Sequence, residues 1–298
     1  MTPTQAEAWR VIQAALSDQY PDIRFKAIEV VASTGQVRLM PRVSQLLQDE
    51  YAPVRFAASL AVGDLQYSFA KGAVGRLLKD EDLNVVIAAS YAMGKLGSTE
   101  YFEVLRKAID NEDQTVRANA ALLLGKSGDR GAVKLLYGTL QRKDSDDKVV
   151  FQAAESIARL GDEQIYTKLW TMLISAYADI RLAGIGAMAA LGTPQAERAL
   201  ITMLDDDVLE IRLAAAEHLG MLKNPIGERE VFEVFEKNLT ANLGLDREAQ
   251  DRVKARTAMA IGEIGTPALT KFLPQFLKDD SKFVRMAAAK AVFRCGMK

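Results

Sequence analysis

Few residues in this chain of 298 could perform acid–base, nucleophilic or metal chemistry. It has one histidine, His218, and one cysteine, Cys295. A zinc site takes about four ligands that are mostly Cys and His, and disulfides, CxxC pairs and iron–sulfur clusters need at least two cysteines. The sequence therefore predicts no metal site, no disulfide and no catalytic residue.

Two short segments imitate nucleotide-binding motifs. Residues 184–189 fit the dinucleotide fingerprint GxGxx[GA], and residues 125–127 read Gly-Lys-Ser, like the end of a P-loop. The fingerprint needs a preceding strand, but here it lies inside an Ala-rich helical run. Ala120 stands where the P-loop requires its first glycine. We therefore expect no cofactor.

Composition and charge are typical of a folded helical protein. Lys and Arg total 38 against 39 Asp and Glu, so no global field attracts nucleic acid or an anionic membrane. The 44 alanines and eight prolines favour helix. The chain has no long apolar run, which predicts no membrane association, and its opening lacks a secretory leader. If Met1 is the natural start, we expect a cytoplasmic protein.

A pattern recurs about every 31 residues along the whole chain. An acidic residue is followed six positions later by a basic one, then by an Ala-rich run and a small residue. This basic position, the reference column, holds Arg24, Arg55, Val86, Arg117, Val150, Arg181, Arg212, Lys254 and Arg285. One interval is 42 residues long, because eleven extra residues fall near 240–251. The extra residues are either a binding loop or a tolerated surface loop.

Each unit predicts a helix, a polar turn and a second helix, which together form an αα-hairpin. The second-helix pattern resembles the HEAT family, specifically the short HEAT-like repeats of phycobilisome lyase subunits. The pattern D-x-x-V-R-x-x-A-A-x-x-L-G-x-x-G is matched by Asp113, Val116, Arg117, Ala120, Ala121, Leu124, Gly125 and Gly128. Periodicity and resemblance together predict an all-α, right-handed α-solenoid of about nine hairpins, with residues 1–298 as a single domain.

The acidic and basic columns recur together, which predicts a ladder of ion pairs between adjacent repeats. Bidentate Arg–carboxylate pairs would fix the register of the repeats. The predicted structural ladder contains Asp18, Arg24, Asp49, Arg55, Asp80, Arg117, Arg181, Asp206, Arg212, Asp279 and Arg285. Val86 and Val150 interrupt the column, so single rungs are dispensable.

A helical wheel leaves each second helix one open stripe, at the second, fifth and ninth positions after the reference column. Both flanks of the stripe are apolar or small, so we expect them to pack against neighbouring second helices and the stripe to form the concave face. The predicted partner-binding residues there are Leu60, Tyr91, Lys95, Asn119, Leu122, Lys126, Glu155 and Arg159. Apolar side chains ringed by lysines favour docking of a partner. Strong curvature would instead bury the fifth position and make these residues ordinary core.

The leading prediction is a non-enzymatic scaffold that binds a protein or peptide on its concave face, as a monomer or a weak end-to-end oligomer. The resemblance also implies a phycobilin lyase or isomerase-like subunit that handles a tetrapyrrole. A nucleic-acid-binding HEAT protein is a third possibility, disfavoured by the net charge of −1 and the lack of a basic, aromatic stripe. HEAT-type hydroxylases that hold iron through several His–Glu pairs are excluded, because the chain has one histidine.

Overall fold

The computed structural model describes residues 1–296, which form α-helices, short 3-10 segments and no strand within that range. The α-helices are α1 (Pro3–Ala15), α2 (Pro21–Ser33), α3 (Met40–Gln45), α4 (Ala52–Asp64), α5 (Lys71–Leu77), α6 (Leu83–Lys95), α7 (Phe102–Ala108), α8 (Gln114–Ser127), α9 (Val133–Gln141), α10 (Asp147–Arg159), α11 (Tyr166–Leu173), α12 (Ala178–Leu191), α13 (Pro194–Thr202), α14 (Leu209–Met221), α15 (Glu228–Glu236), α16 (Leu239–Asn242), α17 (Arg247–Ile264), α18 (Pro267–Thr270), α19 (Leu273–Phe276) and α20 (Lys282–Cys295).

The helices follow the predicted period. Within the described residues, nine second helices carry the reference column, namely α2, α4, α6, α8, α10, α12, α14, α17 and α20. Each is preceded by one or two first helices and a turn, and these first helices are shorter than the second helix except α1, which is as long as α2. The prediction of an all-α fold built from repeated αα-hairpins is therefore confirmed.

Polar turns start the second helices, and a residue with left-handed backbone follows each of them except α20, where Gly296 has φ of −74°. The carboxylate of Asp113 accepts hydrogen bonds from the N–H groups of Thr115 and Val116 at 2.7 and 3.2 Å, which satisfies donors that the first turn leaves open. Gly128 follows α8 with φ of 81°. In the second repeat, which lacks this glycine, Gln66 adopts the same left-handed backbone conformation at φ 48°. This conformation is higher in free energy for a residue with a Cβ than for glycine.

Internal contacts divide the chain into two compact units. The middle unit is Leu16–Leu169, and the terminal unit joins Met1–Ala15 to the described residues from Trp170 onward. In the middle unit α2, α4, α6, α8 and α10 pack side by side in chain order, and in the terminal unit α12, α14, α17 and α20 do the same. The single domain predicted over residues 1–298 stays a prediction.

Small residues let neighbouring second helices approach closely. A Cβ atom on Gly125 would lie 2.8 Å from the Cα of Ser156, and one on Gly262 would lie 2.5 Å from the Cα of Ala291. These positions belong to the column of small residues eight after the reference column. The recurrence of Gly and Ala in that column follows from this backbone-to-backbone packing.

In the terminal unit, the first helix of the chain packs against the last one. Helix α1 contacts α20, and Ala8 and Ile12 of α1 are completely buried. A Cβ atom on Gly296, directly after α20, would lie 3.3 Å from the Nε2 of Gln5. One side of α20 is therefore covered by the N-terminal segment of the same chain.

The eleven-residue insertion lengthens the eighth repeat. Its residues form the short helix α16 and an extra turn at the start of α17, which begins seven residues before Lys254. Asp246 caps α17 by accepting a hydrogen bond from the N–H of Ala249 at 2.7 Å. The residues from 240 to 251 are exposed or half-buried.

Candidate functional site

Ion pairs join successive turns of the middle unit. The guanidinium of Arg24 donates two hydrogen bonds of 2.8 Å to the carboxylate of Asp49, and its Nη1 donates to the carbonyl oxygen of Asp18 at 2.7 Å. Arg55 makes the equivalent bonds to the carboxylate of Asp80 at 2.8 Å and to the carbonyl oxygen of Asp49 at 2.9 Å. Each arginine therefore ties its own turn to the next one.

Asp80 remains charged although its side chain is nearly buried. Burial alone would raise its pKa, but hydrogen bonds from Arg55 and from the N–H of Asp82 outweigh burial and hold the pKa of Asp80 below its ordinary value. The same hydrogen bond to Asp80 raises the pKa of Arg55. The Arg55–Asp80 rung is thus a charged pair with its hydrogen-bonding groups engaged.

The next rung of the middle unit has a different geometry. Arg117 is 1% exposed and donates to the carbonyl oxygens of Asn111 and Asp144 at 2.9 and 3.0 Å. Its bond to the Asp144 carboxylate is longer, at 3.2 Å, because that carboxylate also accepts from Arg142. Arg117 thus supports two turns mainly through backbone carbonyls.

The ladder of the terminal unit departs from a simple Arg–Asp series. Arg181 lies 2.8 Å from the carboxylate of Asp206, as the columns predict. The members of the other rungs differ: Arg212 pairs with Glu230 at 2.8 Å, Lys254 pairs with Asp279 at 3.0 Å, and Arg285 donates to the carbonyl oxygens of Asp279 and Asp280. Arg212 has a glutamate of α15 as its partner because the insertion moves the acidic column of the eighth repeat away.

The structure corrects the prediction for Tyr91. This side chain is 1% exposed and cannot present a ring to a partner. Its ring lies against Gly63, where a Cβ atom would be 2.8 Å from the Cε1 of Tyr91, so the missing side chain on α4 makes room for the ring. Burial and the nearby charge of Asp64 raise the pKa of Tyr91 far above its ordinary value, so the hydroxyl stays protonated.

Asp64 connects residues of the open stripe, and the prediction did not single it out. It accepts a hydrogen bond of 2.7 Å from the hydroxyl of Tyr91, and it lies 3.0 Å from the Nζ of Lys126. Glu155 and Arg159 form an ion pair on α10. The signal for Asp64 was present, because it occupies the ninth position of the stripe in the second repeat.

The remaining stripe residues keep contact with solvent. Leu60, Leu122 and Lys95 are half-buried, and Lys95 has no ion-pair partner within residues 1–296. The Nδ2 of Asn119 donates to the Oδ1 of Asn84 at 2.9 Å, which links α8 to the start of α6. All eight predicted stripe residues lie in the middle unit.

Two buried carboxylates on the stripe of the terminal unit form ion pairs. Glu217, which is 5% exposed, pairs with Arg256 at 3.1 Å, and Glu263, which is 3% exposed, pairs with Arg294 at 2.7 Å. Each of these pairs links two neighbouring second helices. Their carboxylates are engaged in holding helices together.

The lone histidine and cysteine lie on second helices. The Nδ1 of His218 is 2.8 Å from the carbonyl oxygen of Ala214 one turn earlier, and the Sγ of Cys295 lies 3.6 Å from the carbonyl oxygen of Gly262. Among residues 1–296, no three His, Cys, Asp or Glu side chains are placed to hold a metal ion. No helix in this part of the chain is long and apolar enough to cross a bilayer.

A family model described as HEAT repeats matches residues 43–122, 102–183 and 243–296, well over half of the chain. No curated protein matches the chain. The solved structures that resemble it include human deoxyhypusine hydroxylase in complex with glycerol, at 18% identity and a TM-score of 0.42, covering 90% of this chain and 99% of that one. They also include the complex of CpcE and CpcF of phycocyanin lyase from Nostoc sp. PCC7120, at 18% identity and a TM-score of 0.44, covering 85% and 94%. Importin beta matches at 15% identity and a TM-score of 0.39, covering 97% and 44%.

Proposed function

Because the chain belongs to the HEAT-repeat family, we propose that it is a non-enzymatic scaffold that binds a protein partner on the open stripe of the middle unit. The observation that carries the proposal is the half-buried state of Leu60 and Leu122 beside Lys95. The flanks of their helices already pack against neighbouring second helices, so the fold does not need apolar side chains on the stripe. Such residues mark interaction surfaces.

The charges of the stripe indicate what the partner offers. Lys126 and Arg159 are each paired within the unit, to Asp64 and Glu155, whereas Lys95 is not paired within the described residues. A partner with apolar side chains and a carboxylate would cover the leucines and pair with Lys95. The internal ion pairs fix neighbouring side chains before binding, which lowers the entropy cost of association.

The stripe can be tested by affinity capture from cell extract with quantitative mass spectrometry. We expect proteins captured by the wild type to be lost with Leu60→Ser combined with Leu122→Ser. Tyr91 is unsuitable for this test, because replacing a buried ring would destabilise the fold. Leu83→Ser is the matched control, since Leu83 is 41% exposed but lies outside the stripe.

Capture that is equal for the wild type and the double variant would show that the stripe does not bind. Loss of capture with Leu83→Ser as well would show a general effect of removing exposed leucines. Thermal melts of all three proteins would confirm that the changes leave the fold intact.

A further inference from the structure

The first helices of the second and third repeats carry a basic surface. Residues 34–48 and 65–79 contain no Asp or Glu. They contain five basic residues, here called the basic surface: Arg38, Arg42, Lys71, Arg76 and Lys79. All five are exposed, and none has an ion-pair partner in the described part of the chain. The basic surface is therefore a local excess of positive charge in a protein whose net charge is −1.

Two exposed apolar residues stand at one end of the basic surface. Phe69 is 89% exposed and Val37 is 50% exposed. Phe69 lies in the 3-10 segment that leads into α5, and Val37 lies in the 3-10 segment that leads into α3. The Phe69 ring touches one neighbour, Tyr67, with ring centroids 5.4 Å apart. An aromatic ring this exposed beside cations is typical of a binding surface.

A cleft of about 410 Å³ lies at the other end, between the end of the second repeat's first helix and α5. Leu47, Ala73 and Leu77 form its apolar wall, and Arg76 lines it as well. Its acidic residues are Asp49, Asp80 and Glu81.

The three carboxylates of the cleft do not repel a bound anion equally. Those of Asp49 and Asp80 are neutralised by Arg24 and Arg55 in the ladder. Glu81 is the exposed carboxylate of the cleft, with 91% of its side chain exposed and its oxygen 3.8 Å from Arg55. Of the five unpaired cations, Arg76 lines the cleft, where it lies with one exposed acid, Glu81.

We propose that the basic surface docks an acidic segment of a partner protein that carries a bulky apolar side chain. Its carboxylates would pair with the five cations, and its apolar side chain would enter the cleft beside Leu47 and Leu77. Charge complementarity of this kind sets partner choice and association rate. This surface lies on first helices and is separate from the open stripe of second helices.

Two other anionic partners fit the surface less well. A flat bilayer could reach Phe69 and Val37 but would leave the cleft unused. A nucleic acid would place no apolar side chain against the wall of the cleft, and the surface lacks a row of aromatic side chains on which bases could stack. An acidic peptide uses the cations and the cleft together.

The proposal can be tested by fluorescence anisotropy with a fluorescein-labelled peptide of Glu and Asp residues around a central Leu-Phe pair. We expect saturable binding to the wild type that weakens as salt is added. Arg38→Glu, Arg42→Glu and Arg76→Glu combined should weaken binding about tenfold or more. A peptide with Ser-Ser in place of Leu-Phe should also bind more weakly.

Two control variants distinguish binding at the basic surface from a general effect of net charge and from binding at the open stripe. Lys107→Glu, Lys134→Glu and Lys143→Glu combined make the same change in net charge on other exposed sites of the middle unit and should leave peptide binding unchanged. Leu60→Ser with Leu122→Ser should also leave it unchanged, so failure of the stripe and failure of the basic surface give different results.

Three results would overturn the proposal. The first is no saturable binding of the peptide to the wild type at low salt. The second is an equal loss of binding in the two triple variants. The third is binding of the wild type to phosphatidylserine vesicles or to duplex DNA that the peptide does not compete away.

Discussion

Asp80 shows how one residue can couple the repeat ladder to pH. Its side chain is nearly buried, and its charge is kept by hydrogen bonds from Arg55 and from the N–H of Asp82. In an unfolded chain an aspartate titrates near pH 3.9. Because the pKa of Asp80 is lowered in the fold, its contribution to stability is present above about pH 4 and is lost as pH falls through the folded pKa.

We predict that the free energy of unfolding of the wild type falls more steeply between about pH 5 and pH 3 than that of Asp80→Asn. The amide cannot gain a proton in this range, so its variant lacks this part of the pH dependence. Urea unfolding at a series of pH values measures the slopes. Glu112→Gln, at an exposed position with no ion-pair partner among residues 1–296, should keep the wild-type slope, and equal slopes in all three proteins would contradict the prediction.

Substitutions of Tyr91 test how much its hydroxyl and its ring each contribute to stability. Tyr91→Phe removes the hydrogen bond to Asp64, which still has Lys126 as a partner, so we expect a loss of about 1 kcal/mol. Tyr91→Ala also removes the ring beside Gly63 and should cost about 3–5 kcal/mol. Denaturant unfolding of both variants compares these losses. An alanine variant as stable as the phenylalanine variant would show that the ring is not part of the core.

The helices themselves are spaced by the column of small residues. The backbone of the next second helix occupies the space that a side chain would need at Gly63, Gly125, Gly220 and Gly262. At Gly94 of the same column, the ring of Phe102 on α7 fills that space. The contact is made between two elements, so its energetic effect belongs to neither residue alone. A single methyl group should therefore shift one helix against its neighbour.

We predict that Gly125→Ala destabilises the middle unit by about 1–3 kcal/mol, because the new Cβ would lie 2.8 Å from the backbone of Ser156. Gly138→Ala on α9 is the matched control. Its Cβ would meet nothing within 4 Å, and alanine's higher helix propensity should leave stability unchanged or raise it by up to about 1 kcal/mol. Thermal and urea unfolding report both values, and equal effects of the two changes would contradict the packing described here.

Most of the helices and their arrangement in hairpins could be predicted from the sequence, and the features that could not be predicted have physical causes. The period and the acidic turns predicted the hairpins, since capping and burial recur with the repeat. A helical wheel gives the direction of a side chain but not the depth of the surface, so it could not show that Tyr91 fills the space left by Gly63. It also could not show that the insertion gives Arg212 a partner on α15.

In the whole chain, the contact most distant in sequence described above is the packing of α1 on α20, which helps to hold the terminal unit together. Ile12 of α1 is completely buried in the terminal unit. We predict that Ile12→Ala costs about 2–4 kcal/mol and increases amide hydrogen exchange in α20. Arg10→Ala, at a side chain that is 71% exposed, should change neither quantity. Unchanged amide hydrogen exchange in α20 of the Ile12→Ala variant would show that α1 does not stabilise α20.

The packing of α1 on α20 also imposes an order on synthesis. Roughly 270 residues separate the end of α1 from the start of α20, and ribosomes add about 5–20 residues each second. For tens of seconds, the nascent chain therefore exposes the α1 surface that packs against α20, and every segment of the middle unit is made within that time. Contacts this distant in sequence form slowly. We infer that the middle unit folds first and that α1 is the segment a chaperone would shield until α20 has been made.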